Sequence, residues 1–519
     1  MPDMQIYHQA LDARDARFDG IFYVGITSTG IYCRPVCPAK VSYPDRRRFF
    51  NSAAAAEQAG YRPCLRCRPE LAPGRAVMDA VPRLATLAAY RISAGALNGR
   101  GVPDLARELG VSERHLRRAL EREIGVSPVE LAQTCRLLLA KRLLAETSLP
   151  VTRIAFASGF QSLRRFNAIF RDRYRMSPVA LRRGARTLQR GRSYPPPEPE
   201  PDFIRLSLAY RAPLDWRALL RLLQDDRIPG VEVVERNRYG RTVSLGGRSG
   251  IVWIENRERQ PLEKKPGQTP SLTVAVSASL IPVLMPLLVR LRQVFDLDSE
   301  PAVVDSHLAQ GGLGILVAGH AGLRIPGTLD GFEAVFRALL PGLLAGKVAA
   351  ALGARVELGS SDLTVLLPDA STVASAGSSP LLACGLTVSQ AELLTGVARL
   401  VADGTLRLEQ GRDSSEMRRL LQGVGQMTET MATRIIMRAL PWPDAFPSSD
   451  HRLLRAAGAS TTHELERIAE QWRPWRAYAA HHLWLRAQEL IDHPRPQPRS
   501  APRPRSSHAT EPGMEHVFG

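Results

Sequence analysis

The sequence has little cysteine, few aromatic residues and no long apolar run. These shortages exclude several classes of protein. Only 6 of its 519 residues are cysteine, which is typical of a reducing cytoplasm and not of a disulfide-stapled secreted protein. No run of about 18 apolar residues occurs, so no membrane-spanning segment is expected. The start of the chain lacks a basic segment followed by an apolar one, so no secretory signal is expected. These shortages predict a globular cytoplasmic protein.

Positive charge is the clearest excess in the sequence. The formal net charge is +18 and the isoelectric point is about 10.2, which favours a polyanionic partner. A membrane surface is the weaker candidate because the apolar runs are missing, and double-stranded DNA is the favoured partner. A chain of this length is also too long for one hydrophobic core, and about three to four domains are expected.

Four of the cysteines stand in two short-spaced pairs. Cys33 and Cys37 form the first pair, and Cys64 and Cys67 follow after a gap of 26 residues. This spacing matches a tetrahedral site in which four thiolates bind one Zn²⁺. Zinc keeps the sulfurs deprotonated, which is their nucleophilic form. From the spacing alone, a purely structural zinc site is the commoner outcome.

The residues around the two pairs carry a resemblance. GIYCRPVCP (30–38) and GYRPCLRCRP (60–69) resemble the amino-terminal domain of the Ada family of alkylation-response proteins. The resemblance implies that Cys33 accepts a methyl group from a methylated DNA phosphate. Four thiolates around Zn²⁺ carry two excess negative charges, and methylation removes one, so DNA binding should tighten. Residues expected to hold the phosphate backbone beside the cluster are Arg34, Arg62, Arg66 and Arg68.

Residues 80–187 are helical by periodicity and rich in arginine. The stretch 100–192 holds 20 Lys and Arg against 8 Asp and Glu. VPDLARELGVS (102–112) predicts a helix, a glycine turn and a serine that opens a second helix. VTRIAFASGF (151–160) repeats that design, and a long helix at 128–146 is predicted to join the two units.

This arrangement resembles the AraC-type DNA-binding domain, whose repeated Ser-Pro pairs match positions 127–128 and 177–178. The resemblance implies that the second helix of each unit enters the major groove and that RNA polymerase is a partner. The alternative is a basic helical bundle that binds DNA loosely. Which candidates contact bases and which contact phosphates stays open. The candidates are Ser112, Arg114, His115, Arg118, Ser162, Arg164, Arg165 and Asn167.

A proline-rich segment at 188–201 is the clearest domain boundary, and it predicts a semi-rigid spacer. After it, residues 202–310 predict an α+β unit whose order of elements resembles the amino-terminal domain of AlkA-type 3-methyladenine DNA glycosylases. No cluster of acids, histidines or cysteines lies in it, so no chemistry of its own is expected. The expected strands are 203–208, 231–235, 242–245, 251–255 and 272–276, and the expected helices are 216–224 and 281–295.

Residues 311–491 are predicted to be mostly helical, and three motifs in order resemble the helix-hairpin-helix glycosylases. They are GLRIPG (322–327), LLQGVG (420–425) and DAFPSSD (444–450), followed by aromatic residues at 472–484. The resemblance implies a catalytic carboxylate at Asp450, a pocket aromatic at Trp484 and a residue that wedges into the duplex at Ile325. Gly423 and Gly425 are expected to offer backbone N–H groups to a phosphate, and the hairpin is also the expected site of a monovalent cation.

Three features depart from the pattern of the glycosylases, one of which is a longer distance from the hairpin to Asp450. The helix after the hairpin reads QMTETMATR (426–434), without the family's usual aromatic pair, although methionine can also flank a base. Pro341 stands within a predicted helix and should break or bend it. These departures leave open a transcription regulator whose glycosylase half is inactive and serves as a DNA-binding platform.

The sequence therefore predicts a multidomain, mainly α protein with α+β parts. Its leading interpretation is a transcription regulator that methylation of Cys33 switches, fused to a monofunctional glycosylase that excises alkylated purines. No Pro-Cys-His-Arg occurs, so repair of O6-methylguanine is not expected. The promoter, the lesion preference and the oligomeric state cannot be read from the sequence. The expected domains are 1–75 (zinc and methyl acceptor), 80–187 (AraC-type), 188–201 (linker), 202–310 (AlkA-like amino-terminal), 311–491 (helix-hairpin-helix) and 492–519 (disordered basic tail).

Overall fold

The computed structural model describes residues 4–40, 42–74, 83–189, 202–256, 269–357 and 362–492. Most of the predicted linker and almost all of the predicted tail lie outside these residues. The multidomain, mainly helical fold predicted from the sequence is confirmed, with a small sheet at each end of the helix-turn-helix region. Among the described residues, no helix combines the length and the apolar character needed to cross a membrane.

The first domain is a small sheet that brings the cysteine pairs together. In chain order its elements are α1 (Met4–Asp12), β1 (Tyr23–Ile26), β2 (Ile31–Cys33), β3 (Arg47–Phe50), α2 (Ala53–Gln58) and β4 (Arg62–Pro63). The strand order is β3-β1-β2-β4, and β4 runs parallel to β2. Because β2 ends at Cys33 and Cys64 follows β4 directly, the two strand ends hold one cysteine of each pair side by side. Helix α1 was not predicted.

Seven helices follow, and they form the two predicted helix-turn-helix units. They are α3 (Arg83–Ser93), α4 (Val102–Glu108), α5 (Glu113–Glu123), α6 (Pro128–Glu146), α7 (Val151–Ala157), α8 (Leu163–Tyr174) and α9 (Pro178–Gln189). The turns between α4 and α5 and between α7 and α8 contain Gly110 and Gly159, which have φ values of +70° and +86° that favour glycine. Ser127 and Glu130 form a capping box at the start of α6, so this helix begins and ends where the sequence predicted.

The next unit is a five-stranded antiparallel sheet with two helices. Its elements are β5 (Phe203–Ala209), α10 (Trp216–Asp225), β6 (Glu232–Glu235), β7 (Arg238–Leu245), β8 (Arg248–Glu255), β9 (Ser271–Ser277) and α11 (Leu284–Val294). The strand order is β5-β9-β8-β7-β6. Leu206 and Val274 of this sheet share one buried core with Phe166 and Phe170 of α8. The sheet therefore packs against the second helix-turn-helix unit.

The remaining helices form two cores. The helices are α12 (Pro301–Leu308), α13 (Gly314–Gly319), α14 (Gly331–Leu339), α15 (Gly342–Leu352), α16 (Ala370–Ala376), α17 (Ser378–Ala383), α18 (Val388–Ala402), α19 (Ser414–Gln422), α20 (Glu429–Ala439), α21 (His451–Ala457), α22 (Thr462–Ala469) and α23 (Arg476–Asp492). Val335, Leu394 and Ile436 belong to the first core, whereas Leu453 and Leu483 belong to the second. Helix α14 ends two residues before Pro341, so the predicted break is confirmed.

Candidate functional sites

The four cysteines form a compact cluster. Their Sγ atoms all lie within 4.8 Å of one another, which suits one Zn²⁺ at about 2.3 Å from each sulfur. The backbone N–H groups of Arg34 and Arg66 donate to the Sγ atoms of Cys67 and Cys64, each at 3.4 Å, and such donors stabilise a thiolate. The donor set and its geometry fit zinc, so the predicted cofactor is confirmed.

The four sulfurs differ in their access to solvent. Cys37, Cys64 and Cys67 are buried, whereas Cys33 is only partly buried. Cys33 is the last residue of β2, an inner strand between β1 and β4. Of the four cysteines it is the one whose residue surface is least buried.

Arg34 lies inside the protein and not on the expected DNA-contacting surface. Its side chain is fully buried, and its guanidinium forms a bidentate ion pair with Asp19, with one N–O distance of 2.7 Å. It also donates to the carbonyl oxygen of Cys67 at 3.0 Å and to Thr269 Oγ1 at 2.9 Å. Arg34 thus fastens the loop beside Cys33 and cannot reach a phosphate in this conformation.

The other three predicted arginines of the zinc module differ in their exposure and in their ion-pair partners. Arg66 is exposed and Arg62 is partly exposed, so both remain available to a phosphate. Arg68 is paired with Glu70 at 3.0 Å and with Glu146 of α6 at 2.6 Å. It therefore ties the zinc module to the DNA-binding helices.

A buried carboxylate stands at the same interface. Glu57 of α2 accepts hydrogen bonds from Tyr32 Oη at 3.0 Å and from Thr134 Oγ1 of α6 at 3.1 Å. Burial raises the pKa of Glu57 to about 7, and the nearby Arg173 and the two hydroxyl donors only partly oppose this rise. Lys141 of α6 pairs with Glu70 close by.

The raised pKa of Glu57 predicts a pH-dependent stability. The pKa of Glu57 is higher in the folded state than in the unfolded state. Its contribution to the free energy of unfolding is therefore complete below about pH 4.5 and is lost as the pH rises through about 7. In Glu57→Gln that loss is absent, so the variant should gain stability relative to wild type between these pH values, by on the order of 3 kcal/mol. Denaturant unfolding of both zinc-loaded proteins at several pH values measures the difference. A constant difference from pH 4.5 to 8 would contradict the assignment.

The predicted DNA-reading residues stand at the start of the second helix of each unit. Ser112 caps α5 by accepting from the N–H of His115 at 3.2 Å, and Ser162 caps α8 by accepting from the N–H of Arg165 at 3.4 Å. Asn167 is partly buried, and the rest of the set is exposed. The exposed members are Ser112, Arg114, His115, Arg118, Ser162, Arg164 and Arg165.

In the carboxyl half, Asp450 and Trp484 come together although 34 residues separate them. Asp450 precedes α21 and is only 7% exposed. Its Oδ1 accepts from the backbone N–H of Arg452 at 2.9 Å, and its Oδ2 accepts from Nε1 of Trp484 at 3.2 Å. Trp484 lines a cavity with Arg434, Arg452 and Met437.

Asp450 is held in its ionised form. Burial alone would raise its pKa, but the hydrogen bonds and charge of Arg452, with the charge of Arg434, outweigh burial and lower it. A carboxylate with a lowered pKa is an anion throughout the neutral range. It is suited to stabilise positive charge or to orient water, and it is not suited to donate a proton.

The hairpin between α19 and α20 is open to solvent. Gly423 and Gly425 are exposed, and Gly425 has a φ of +50°. Among the backbone hydrogen bonds of the described residues, none has the N–H of Gly425 or Gln426 as its donor. These two N–H groups are free for a phosphate. The N–H of Gly423 instead donates to the carbonyl oxygen of Arg419 at 3.1 Å, so the prediction for Gly423 is wrong. The monovalent cation stays a prediction.

The GLRIPG motif turns out to be structural. Ile325 is 8% exposed and packs in the second helical core, so it cannot fill a gap in a DNA duplex from this position. Arg324 is fully buried and donates to the carbonyl oxygen of Arg211 at 2.6 Å. An apolar side chain that does project into solvent is Leu343, at the start of α15, which is 77% exposed. The sequence did not single out Leu343, because the exposure of a side chain depends on the tertiary structure.

The matches to known families follow the same order along the chain. The metal-binding domain of Ada matches residues 6–70, a helix-turn-helix domain matches 105–184, and the AlkA amino-terminal domain matches 205–330. These matches, the four-sulfur cluster and the two helix-turn-helix units define a zinc-containing, DNA-binding protein with an AlkA-like carboxyl half.

Known relatives match almost the whole length of the chain. The probable bifunctional transcriptional activator/DNA repair enzyme AlkA of Mycobacterium tuberculosis (strain ATCC 25618 / H37Rv) is 33% identical over 96% of this chain and 99% of its own length. The chain belongs to the family of this relative, the bifunctional transcriptional activator/DNA repair enzymes of the AlkA type. DNA-3-methyladenine glycosylase 2 of Escherichia coli is 31% identical over 54% of this chain and 96% of its own. The regulatory protein ada of Salmonella typhimurium is 31% identical over 29% of this chain and 41% of its own.

Proposed function

We propose that the chain is an alkylation-response protein that combines a methyl-accepting regulator with a DNA glycosylase. The regulator senses methylated DNA phosphates through Cys33, and the carboxyl half excises alkylated purines of the 3-methyladenine type. The observation that carries this proposal is the pairing of two reactive centres in one chain, a four-sulfur zinc cluster and a carboxylate hydrogen-bonded to a pocket tryptophan. The proposed domains keep the boundaries predicted from the sequence, and the proposed location is the cytoplasm.

The partial exposure of Cys33 supports it as the methyl acceptor. The thiolate of Cys33 attacks the methyl carbon of a phosphotriester, the C–O bond breaks, and the phosphate leaves as a diester anion. A zinc ion held by the four cysteines would keep this sulfur deprotonated. The sulfur becomes a thioether, and the cluster loses one negative charge. Arg66 and Arg62 remain to hold the phosphate, while Arg34 keeps the loop in place.

Methylation of Cys33 should raise the affinity of the chain for its promoter. The removal of one negative charge beside the phosphate backbone should lower Kd by about tenfold at moderate salt, because phosphate contacts dominate DNA affinity. The measurement compares promoter binding before and after methylation, at fixed salt. The matched control is zinc-loaded wild-type protein incubated with the same DNA without methylation. Equal affinities of the two wild-type forms would contradict the switch.

The two helix-turn-helix units are proposed to read the promoter, with RNA polymerase as a further partner. Arg164→Ala should weaken specific binding by about 1–3 kcal/mol if this side chain contacts a base. The control is Arg175→Ala, since Arg175 follows the far end of the same helix and is also exposed. Binding isotherms on promoter and unrelated DNA measure both variants. Equal losses for the two variants would remove Arg164 from the reading surface.

The carboxyl half is proposed to flip a damaged purine out of the duplex and hydrolyse its N-glycosidic bond. Extrusion costs a few kcal/mol, least for damaged or mispaired bases. The exposed Leu343 replaces Ile325 as the proposed wedge, and the hairpin N–H groups of Gly425 and Gln426 bind the DNA backbone. The carboxylate of Asp450 stabilises the oxocarbenium-like sugar or orients the attacking water.

The proposed reaction ends at base removal. The hairpin contains no lysine that could form a Schiff base with the sugar, so strand cleavage is not expected. The ionised, hydrogen-bonded state of Asp450 favours an active glycosylase over an inactive DNA-binding platform. An abasic-site assay on alkylated DNA tests this proposal. The largest loss of activity is expected when Asp450 is substituted.

A further inference from the structure

The loop that follows the proposed methyl acceptor contacts the carboxyl half of the chain. Arg34, the residue after Cys33, donates from Nη1 to Thr269 Oγ1 at 2.9 Å, although 235 residues separate the two along the chain. Thr269 lies two residues before β9 of the AlkA-like sheet. The carboxyl half therefore contacts the zinc module directly beside the acceptor.

The ion-pair partner of Arg34 is also held by the carboxyl half. The carboxylate of Asp19 accepts from the guanidinium of Arg34, and the carbonyl oxygen of Asp19 accepts from Nη2 of Arg211 at 3.1 Å. Arg211 lies two residues after β5 and is only 6% exposed. Arg324 in turn donates to the carbonyl oxygen of Arg211 at 2.6 Å. A continuous series of buried hydrogen bonds thus joins the GLRIPG motif to Arg34.

This series of hydrogen bonds ends at the sulfur cluster. The backbone N–H of Arg34 donates to Sγ of Cys67 at 3.4 Å, and Nη1 of Arg34 donates to the carbonyl oxygen of Cys67 at 3.0 Å. Apolar packing at this point is incomplete, because a cavity of about 370 Å³ lined by Val36 and Val303 lies between the zinc module and the carboxyl half. The polar contacts therefore fix the loop, and a shift of Arg34 would move the backbone of Cys33 with it.

We infer that Thr269 and Arg211 are positioning residues for methyl transfer, because they fix, through Arg34, where the sulfur of Cys33 meets a methylated phosphate. Displacement at a methyl carbon needs the reacting atoms in line, and a misplacement of about 1 Å can cost about a hundredfold in rate. This inference rests on the proposed methyl acceptance by Cys33. It adds that the acceptor site is complete only in the fused chain.

The chemical step is the one proposed above for Cys33. The thiolate forms a bond to the methyl carbon, the bond from that carbon to the phosphate oxygen breaks, and its electron pair leaves with the phosphate diester. DNA presents its methyl group from one direction only, whereas methyl iodide, which loses iodide in the same displacement, approaches the sulfur from any open direction. The position of the loop should therefore govern the reaction with DNA and not the reaction with methyl iodide.

The test compares wild type with Thr269→Val in the full-length, zinc-loaded protein. Valine is close to threonine in shape but lacks the hydroxyl that accepts from Arg34. Mass spectrometry follows methyl transfer to Cys33 over a series of concentrations of DNA that carries methylphosphotriesters. The maximal rate constant should fall about tenfold, because a hydrogen bond to a charged group contributes about this factor. The half-saturating DNA concentration and the rate with methyl iodide should each stay within about twofold of wild type.

Three further variants separate positioning from a general loss of structure. Thr269→Ser keeps the hydroxyl and should transfer methyl groups within about twofold of the wild-type rate. Arg211→Met removes the hydrogen bond to Asp19 and should slow transfer from DNA about tenfold. Tyr90→Phe is the matched control, because it removes a hydroxyl that donates to Gln293 at 3.0 Å elsewhere between the two halves. It should leave both reactions unchanged.

Amide hydrogen exchange measures the loop without any methyl transfer. The peptide 30–38 contains the N–H of Arg34, and its exchange should accelerate about tenfold in Thr269→Val because the loop opens locally more often. The peptide 128–146, which forms α6, should exchange as in wild type. Thr269→Ser should exchange as wild type in both peptides.

Three outcomes would overturn the inference. The first is Thr269→Val that takes methyl groups from DNA at the wild-type rate or loses only in its half-saturating DNA concentration. The second is equal slowing with DNA and methyl iodide, which means that the reactivity of the sulfur has changed and not its position. The third is unchanged exchange in the peptide 30–38. Wild type that reacts with methyl iodide but takes no methyl group from DNA would instead contradict the proposed methyl acceptor, and the inference would fall with it.

Discussion

Asp450→Asn should slow the release of 3-methyladenine from DNA by at least about a hundredfold, with little change in folding. The amide oxygen can still accept the capping hydrogen bond from the N–H of Arg452, but the amide NH2 cannot accept from Nε1 of Trp484, and the side chain carries no negative charge. A fixed charge next to a transition state of opposite sign is worth about 10²–10³ in rate. Because the pKa of Asp450 is lowered, the wild-type rate should not fall with pH until well below neutrality.

The measurement is abasic-site formation under single-turnover conditions with both proteins. The matched control is Asp369→Asn, because Asp369 also caps a helix, accepting from the N–H of Thr372 at 2.8 Å, and asparagine caps as well as aspartate. The control should keep the wild-type rate. Equal rates for Asp450→Asn and wild type would remove Asp450 from the mechanism.

Cys64→Ser should abolish zinc binding and unfold the zinc module. Small metal modules have few other sources of stability, and a structural zinc contributes on the order of 10 kcal/mol. Cys64 follows β4 and its sulfur accepts from the N–H of Arg66, so its loss breaks both the metal site and the strand end.

Zinc content by metal analysis and protease sensitivity of residues 1–75 measure this effect. Cys384→Ser is the control, because Cys384 lies outside the cluster and is partly exposed. It should bind zinc as wild type does. A Cys64→Ser protein with one zinc per chain and a protected module would contradict the four-thiolate assignment.

The sequence predicted those parts of the structure that depend on local patterns. Cysteine spacing indicated the zinc cluster, and the repeated helix–glycine–serine design indicated both helix-turn-helix units. Helix α6 begins at its predicted residue because a capping box precedes it. The predicted helix at 281–295 begins instead as a 3₁₀ turn, and α11 starts at Leu284, because Pro282 cannot donate a hydrogen bond inside a helix.

The roles that failed to follow from the sequence depend on contacts between distant residues. Arg34 looked like a phosphate ligand because it adjoins Cys33, but its partners Asp19 and Thr269 lie far from it in the chain. Ile325 was placed on the DNA surface by its motif, whereas the structure buries it. The position of Arg434 over Trp484 could not be predicted either, since 50 residues separate them.

The most direct test of the combined function is one incubation of wild-type protein with DNA treated with a methylating agent. Mass spectrometry then maps methyl groups on the protein, and the same DNA is assayed for abasic sites. We expect one methyl group, on Cys33, together with abasic sites that Asp450→Asn does not produce. A methyl group on Cys64 alone, or methylated protein with intact DNA, would contradict it.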